Sequence, residues 1–303
     1  MNKTGIINYL FMGKPDFLIA DTLDSKKVGT LLFLITAFTH TAIAQPGKYA
    51  TVNGLHMYYE IHGTGKPLVL IHGAASTIQT TFGRVLPSLA KTHKIIAVEL
   101  QAHGHSDNRD GRQITFEQDA DDVAALLQVL HIDHADVFGF SNGGTTALQF
   151  AIRHPELVSK LIIASSMYKR VGVAPEFWQG MDNASFKDMP DEYKAAFLAI
   201  NPSQDALHTM FNQCAGRMQH FTDIPDESIS ALRGPALILS GDKDVPLPEH
   251  AVEMYRRIPH ATLAIFPGGH GTYMGELTTL KAAHNPPVAL PVIEDFLSKP
   301  ISK

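Results

Sequence analysis

In the stretch DVFGFSNGGTTALQF, residues 136–150, an apolar run breaks at Gly139-Phe140-Ser141-Asn142-Gly143 and resumes with helical spacing. This is G-x-S-x-G in a strand-turn-helix setting, a turn that lifts a serine hydroxyl clear of its strand and leaves no room for a Cβ two positions to either side. A serine hydroxyl is a weak nucleophile and needs a base, which a carboxylate must orient. Further on, LILSGDKDV places Asp242 and Asp244 just past one apolar run, and AIFPGGHGTY places His270 just past the next. His270 is one of sixteen histidines. The glycines before and after it, at the end of a strand, distinguish it because they let a loop bring the ring towards a serine. The chain order is serine, acid, histidine, and the chemistry these residue types support together is nucleophilic acyl transfer.

Holding such residues together requires a rigid frame. Tyr49–Val52 and Leu55–Ile61 flank Asn53-Gly54, the dipeptide that best favours a type I′ turn, and predict a β-hairpin. Uniformly apolar strand-like runs then alternate with helical patterns: KPLVLIHG and Thr77–Ala90, HKIIAVEL and Thr115–Leu130, ADVFGFS and Gly143–His154, then KLIIASS. The alternation resumes with PALILSG, a helix over Glu249–Arg257, ATLAIFPG and the helix PVIEDFLSK. The reading is an α/β fold with a mostly parallel eight-stranded sheet covered by helices on both faces. Between its two parts, at 45–166 and 234–303, residues 167–233 lose the rhythm and predict a helical cap insertion.

From about Gly47 to Ser298 the chain resembles the α/β-hydrolases, close to capped bacterial serine hydrolases of the esterase, lipase and proline-iminopeptidase kind. The resemblance rests on His72-Gly73, on AHGHSD at 102–107, on GFSNGG at 139–144, on GDKD at 241–244 and on Gly269-His270. It implies Ser141 as nucleophile, His270 as general base and then acid, and Asp244 as the orienting carboxylate, with Asp242 as a turn residue. It also implies an oxyanion hole made by the backbone N–H groups of Asn142 and Ala74, with Ala75 as the alternative to Ala74. Asn142 stands where relatives often carry Met, Gln or Leu. His72 is read as ordering the oxyanion loop and bordering the pocket. Phe177, Trp178, Met181 and Phe211 are candidates to face the cleft, since such pockets are mostly apolar.

A rival motif overlaps this one. His103, His105 and Asp107 form H-x-H-x-D, a spacing used by zinc hydrolases, but Asn108 stands where that pattern wants a further histidine. The expectation is therefore no metal and no cofactor. Cys214, the single cysteine, allows no internal disulfide and reads as a small buried hydrophobe.

Residues 26–44, KKVGTLLFLITAFTHTAIA, have a lysine pair, an apolar run and Ala42-Ile43-Ala44, the pattern of an export signal cleaved before Gln45. The run is too short and too interrupted for the roughly 20 apolar residues of a membrane span. The expectation is a periplasmic or secreted protein without a stable membrane anchor, or a cytoplasmic one if the segment is not a functional signal. The extension before Lys26 is long for such a signal and carries Asp16, Asp21 and Asp24, which suggests translation from Met12 or from an alternative start at Leu23 or Val28. The net charge of −5 speaks against a nucleic-acid partner. The function read from the sequence is hydrolysis of small or medium apolar carboxylic esters through an acyl-enzyme. An aminopeptidase or amidase, whose α-amine site would draw on Glu176, Asp182, Glu192 or Asp205, is the alternative within the same machinery; perhydrolysis is a third, side activity, and a non-catalytic binding module the alternative outside it.

Overall fold

A computed structural model describes residues 47–301 apart from positions 110 and 282; the expected export signal at 26–44 lies outside these residues. Strands β1 (Lys48–Val52) and β2 (Leu55–His62) form the hairpin, with Asn53 at φ 48° and Gly54 at φ 79° in its turn. These positive values are what a type I′ turn requires, and Asn and Gly adopt them at least cost. The remaining strands are β3 (Lys66–Ile71), β4 (His93–Val98), β5 (Ala135–Phe140), β6 (Val158–Ala164), β7 (Ala236–Gly241) and β8 (Ala261–Phe266). They join the hairpin in one eight-stranded sheet of order β1-β2-β4-β3-β5-β6-β7-β8. β2 runs antiparallel to β4, and β3 to β8 are mutually parallel.

Both faces of the sheet are dry, which is why its central strands are apolar without alternation. Leu68, Leu70, Phe138 and Leu237 pack on one side with α1 (Ile78–Phe82) and α2 (Leu86–Leu89). Val69, Ile71, Val137 and Ile238 pack on the other with α3 (Phe116–Val129) and α4 (Asn142–Arg153). The single helix expected over 77–90 is instead the α1–α2 pair. Thr77 caps α1 through a capping box, α1 stops at Gly83, and Pro87 then opens a second turn because its ring supplies no N–H to extend the first.

Between β6 and β7 the chain forms α5 (Pro175–Asp182), α6 (Asp191–Ile200), α7 (Gln204–Gln219) and α8 (Asp226–Ser230). The short α8 buries Ile229 in the same core as α4 and α9 (Pro248–Arg257), so the helices that make their own layer are α5 to α7. α10 (Leu290–Ser298) closes the first face through Ile293 and Leu297. The cap is tied to the sheet domain by polar bonds as well as apolar contact. Arg217 of α7 pairs with Asp119 of α3 at 2.6 Å, both buried. Asn201 donates to the Gly104 carbonyl at 3.2 Å, and Gln213 accepts from the Ile114 N–H at 2.9 Å. No helix of the described residues is long and apolar enough to cross a membrane.

Candidate active site

Ser141 follows β5 and immediately precedes α4, with φ 55° and ψ −124°. That is a strained conformation for a residue with a Cβ, held because the turn is fixed on both sides. Its N–H donates to the Ala164 carbonyl at 2.8 Å, and its own carbonyl accepts from Gly144 at 2.8 Å. The glycines are steric necessities. A Cβ on Gly139 would meet the Gly143 carbonyl, and one on Gly143 would meet the carbonyl oxygens of Ile71 and His72. The nucleophile turn therefore sits directly on the end of β3.

The loops after β7 and β8 bring the other two groups to it. His270 Nε2 accepts from Ser141 Oγ at 3.0 Å, and its Nδ1 donates to Asp244 Oδ1 at 2.7 Å. Since a carboxylate can only accept, this contact fixes the imidazole tautomer that leaves Nε2 free to take the serine proton. Burial pushes the Asp244 carboxyl up, but hydrogen bonds from His270, the Gly241 N–H and Ser165 outweigh it and hold the group below the usual carboxylate range. Asp242 is elsewhere: it is exposed and accepts from the Gly268 N–H at 2.7 Å, bracing the histidine loop as a turn residue.

The loop after β3 completes the geometry. His72 is fully buried; its Nδ1 donates to the Gly73 carbonyl at 2.7 Å, and its Nε2 accepts from the Leu100 N–H at 3.0 Å. Burial, reinforced by the His103 ring 4.8 Å away, lowers its pKa to about 3, so it is a neutral strut. The expectation that His72 borders the pocket is thereby corrected: both ring nitrogens are spent inside the protein. His103 plays a parallel part. Its Nδ1 donates to the Gln101 carbonyl at 2.9 Å, and its Nε2 accepts from the Ala75 N–H at 3.2 Å, with Cys214 Sγ at 3.3 Å from the same nitrogen. Burial, then the charge of Arg217, lowers the His103 pKa to about 4.

Of the two expected donors on this loop the Ala75 N–H is thus committed to an imidazole, which favours Ala74; Asn142 takes the first position of α4. Gly73, which precedes Ala74, lies against the Ser141 side chain, Asn142 follows Ser141 directly, and the α4 terminus adds positive potential there. The carboxamide Nδ2 of Asn142 is buried and has no partner among the described residues. The other members of H-x-H-x-D point apart from His103. His105 Nδ1 pairs with Glu99 at 2.9 Å, and Asp107 lies exposed, 3.8 Å from His56.

A cavity of about 370 Å³ lies between this loop and the cap. Ala74, Ala75, Met181, Tyr193, Phe211 and Cys214 are among its walls, and Asp188 is its one charged lining residue. Of the residues expected to face the cleft, Met181 and Phe211 are walls of this cavity. Phe177 and Trp178 are not. They pack with Phe116, Met218 and Phe221 in an apolar cluster that meets the cavity through Met181 and Met218, and there the Trp178 indole donates to the Arg170 carbonyl at 2.8 Å and the Arg170 guanidinium covers its ring. α5 turns only its Met181 side towards the cleft, an orientation that aromatic composition cannot specify. Sequence reasoning also missed Ser165, Tyr193, Tyr273 and Glu276, none of which carries a motif.

A family model described as the α/β hydrolase fold matches residues 66–201, from β3 through the nucleophile turn and into the cap. The thermophilic esterase from Thermogutta terrifontis superposes with a TM-score of 0.66 at 21% identity, over 84% of this chain and 98% of that one. The chain has the α/β-hydrolase fold. Among sequence relatives of this α/β-hydrolase-fold chain, the 2-hydroxymuconate semialdehyde hydrolase of Pseudomonas sp. (strain CF600) is 33% identical over 150 residues, 47% of this chain and about half (52%) of that enzyme. The 2-hydroxy-6-oxo-2,4-heptadienoate hydrolase of Pseudomonas putida is 27% identical over 252 residues, 74% of this chain and 88% of the relative.

Proposed function

We propose that this chain is a cofactor-independent serine hydrolase that cleaves uncharged carboxylic esters with an apolar acyl or alcohol part. In this reading Ser141 Oγ attacks the acyl carbonyl as His270 Nε2 takes its proton. The N–H groups of Ala74 and Asn142 hold the oxyanion, and His270 returns the proton to the leaving alkoxide. Water, deprotonated by the same nitrogen, then releases the acid from the acyl-enzyme.

The observation that carries the reaction class is the continuous Asp244–His270–Ser141 hydrogen-bond chain, at 2.7 and 3.0 Å. The substrate class is supported by the cavity beside Ala74, whose walls include no lysine, arginine or histidine. The relatives are named for substrates that carry a carboxylate, and a cavity without a cation offers such a group no partner. The peptidase reading is weaker: Glu176, Asp182, Glu192 and Asp205 are exposed and none lines the cavity, and Asp188, the acid that does, is exposed and accepts from the Ser185 N–H at 3.0 Å.

The test compares neutral p-nitrophenyl esters of increasing acyl length, a prolyl-arylamide and a 2-hydroxy-6-oxo-2,4-dienoate as substrates. The expected result is turnover of the esters, abolished in Ser141→Ala. Preference for the dienoate or the arylamide would overturn the substrate assignment, and full ester activity in Ser141→Ala would overturn the mechanism.

A further inference from the structure

Ser165, the first residue past β6, has φ 49°, in the left-handed region that a side chain with a Cβ seldom occupies. Its N–H donates to the Leu239 carbonyl at 2.8 Å, which anchors this backbone to β7. Two serines with positive φ therefore stand at the carboxyl ends of adjacent strands, Ser141 after β5 and Ser165 after β6. A strained residue that its surroundings hold in place is a pointer to function.

The Ser165 hydroxyl donates to Asp244 Oδ2 at 2.5 Å and lies 2.6 Å from the Tyr273 hydroxyl. Asp244 can only accept, so the single serine proton is directed to it, and Tyr273 donates in turn to Ser165 Oγ. Ser165 and Tyr273 are both buried, at 2% and 1% exposure. The carboxylate is thereby filled on both oxygens. Oδ1 takes His270 Nδ1–H and the Val245 N–H, and Oδ2 takes Ser165 and the Gly241 N–H.

We infer that Ser165, backed by Tyr273, is a positioning residue that fixes the rotamer of Asp244 and tempers its basicity, and through it sets the behaviour of His270. The inference rests on Ser141 being the nucleophile. The titratable groups that face Asp244 are His270 and Tyr273, both from the loop after β8; its loop neighbours Asp242 and Lys243 are exposed. Burial and the Asp244 charge raise the Tyr273 phenol well above its ordinary range, so it stays a donor throughout the working pH range. A carboxylate that loses a donor holds its charge less well and binds a neighbouring imidazolium more strongly. Removing the Ser165 hydroxyl therefore makes the protonated histidine persist to higher pH, where it cannot act as a base.

The experiment follows the rate of Ser141 labelling by a fluorophosphonate from pH 5 to 9 in the full chain and in Ser165→Ala, Ser165→Gly and Tyr273→Phe. Both Ser165 variants are expected to label about tenfold more slowly near neutrality, with the acid limb moved up by about one pH unit, the size of one charge-assisted hydrogen bond. Glycine relaxes the backbone while lacking the hydroxyl, so agreement between the two variants assigns the effect to the donor. Tyr273→Phe is expected to move the limb the same way by less, and it tests the relay should either Ser165 variant fold poorly. An unmoved acid limb in these variants, whatever the rate, would reduce Ser165 to packing and overturn the inference. Absence of labelling in the wild-type chain would instead remove the Ser141 reading on which it rests.

Discussion

The phenol of Tyr193 on cap helix α6 donates to the buried carboxylate of Glu276 at 2.7 Å, on the same loop that carries His270. The other oxygen of Glu276 accepts from the Thr278 N–H at 2.9 Å and its hydroxyl at 2.6 Å, so its hydrogen-bond partners among the described residues are neutral donors. Since Tyr193 also lines the cavity, one side chain joins the cavity, the cap and the loop that carries His270. Tyr193→Phe removes a donor from a buried carboxylate and is expected to lower stability by about 1–3 kcal/mol. Urea unfolding measures that loss, and ester kinetics should show a raised KM for long acyl chains, because the cavity wall loses its anchor.

The two neutral histidines behind the oxyanion loop predict acid sensitivity. His72 and His103 have folded pKa values of about 3 and about 4, both below the ordinary histidine value of about 6.5 in an unfolded chain. Between these limits the unfolded state binds more protons. The stability they contribute is therefore complete above pH 6.5 and falls as pH drops towards 4, by up to about 1.4 kcal/mol per pH unit for each histidine. Denaturant midpoints from pH 7 to 4.5 should decline accordingly, and His103→Gln should show a shallower slope. A flat profile in the wild-type chain would refute the neutral-strut account.

On the proposed ester reading, the cavity wall sets the acyl-chain preference. Ala215 borders the space of about 370 Å³ between α7 and the oxyanion loop. Ala215→Leu adds three carbons there and is expected to move the preferred p-nitrophenyl ester to shorter acyl chains, with kcat on acetate little changed. Phe211→Ala should extend the range the other way. Equal shifts of all esters in either variant would mean that the acyl chain lies elsewhere.

Gly143 tests how firmly the nucleophile turn is seated. A Cβ there meets the carbonyl oxygens of Ile71 and His72, rigid backbone with no room to move. Gly143→Ala is expected to cost at least about 3 kcal/mol, at the upper end of overpacking effects, and to abolish fluorophosphonate labelling of Ser141. Gly180, a cavity-lining residue of α5, has open space around its Cβ position and serves as the folding control: Gly180→Ala should not lower stability.

Much of the frame was legible from local patterns. The Asn53-Gly54 turn, the uniformly apolar strands and the strand-turn-helix around Ser141 each follow from forces acting within a few residues. Ser141, His270 and the pair Asp242 and Asp244 could be named because each stands just past a strand end, where a parallel sheet collects its loops on one edge; the preference for Asp244 came from the resemblance to the α/β-hydrolases. Tertiary structure decided what spacing cannot encode. It committed the Ala75 N–H to His103, which favours Ala74 as the donor of that loop, and it packed Phe177 and Trp178 with Phe116 and Phe221 rather than on the cavity wall. It also bound Ser165 to Asp244 across 79 residues and Tyr193 to Glu276 across 83. Hydrogen-bond partners and side-chain facing depend on which distant surfaces meet, and only the folded packing of cap on sheet fixes that.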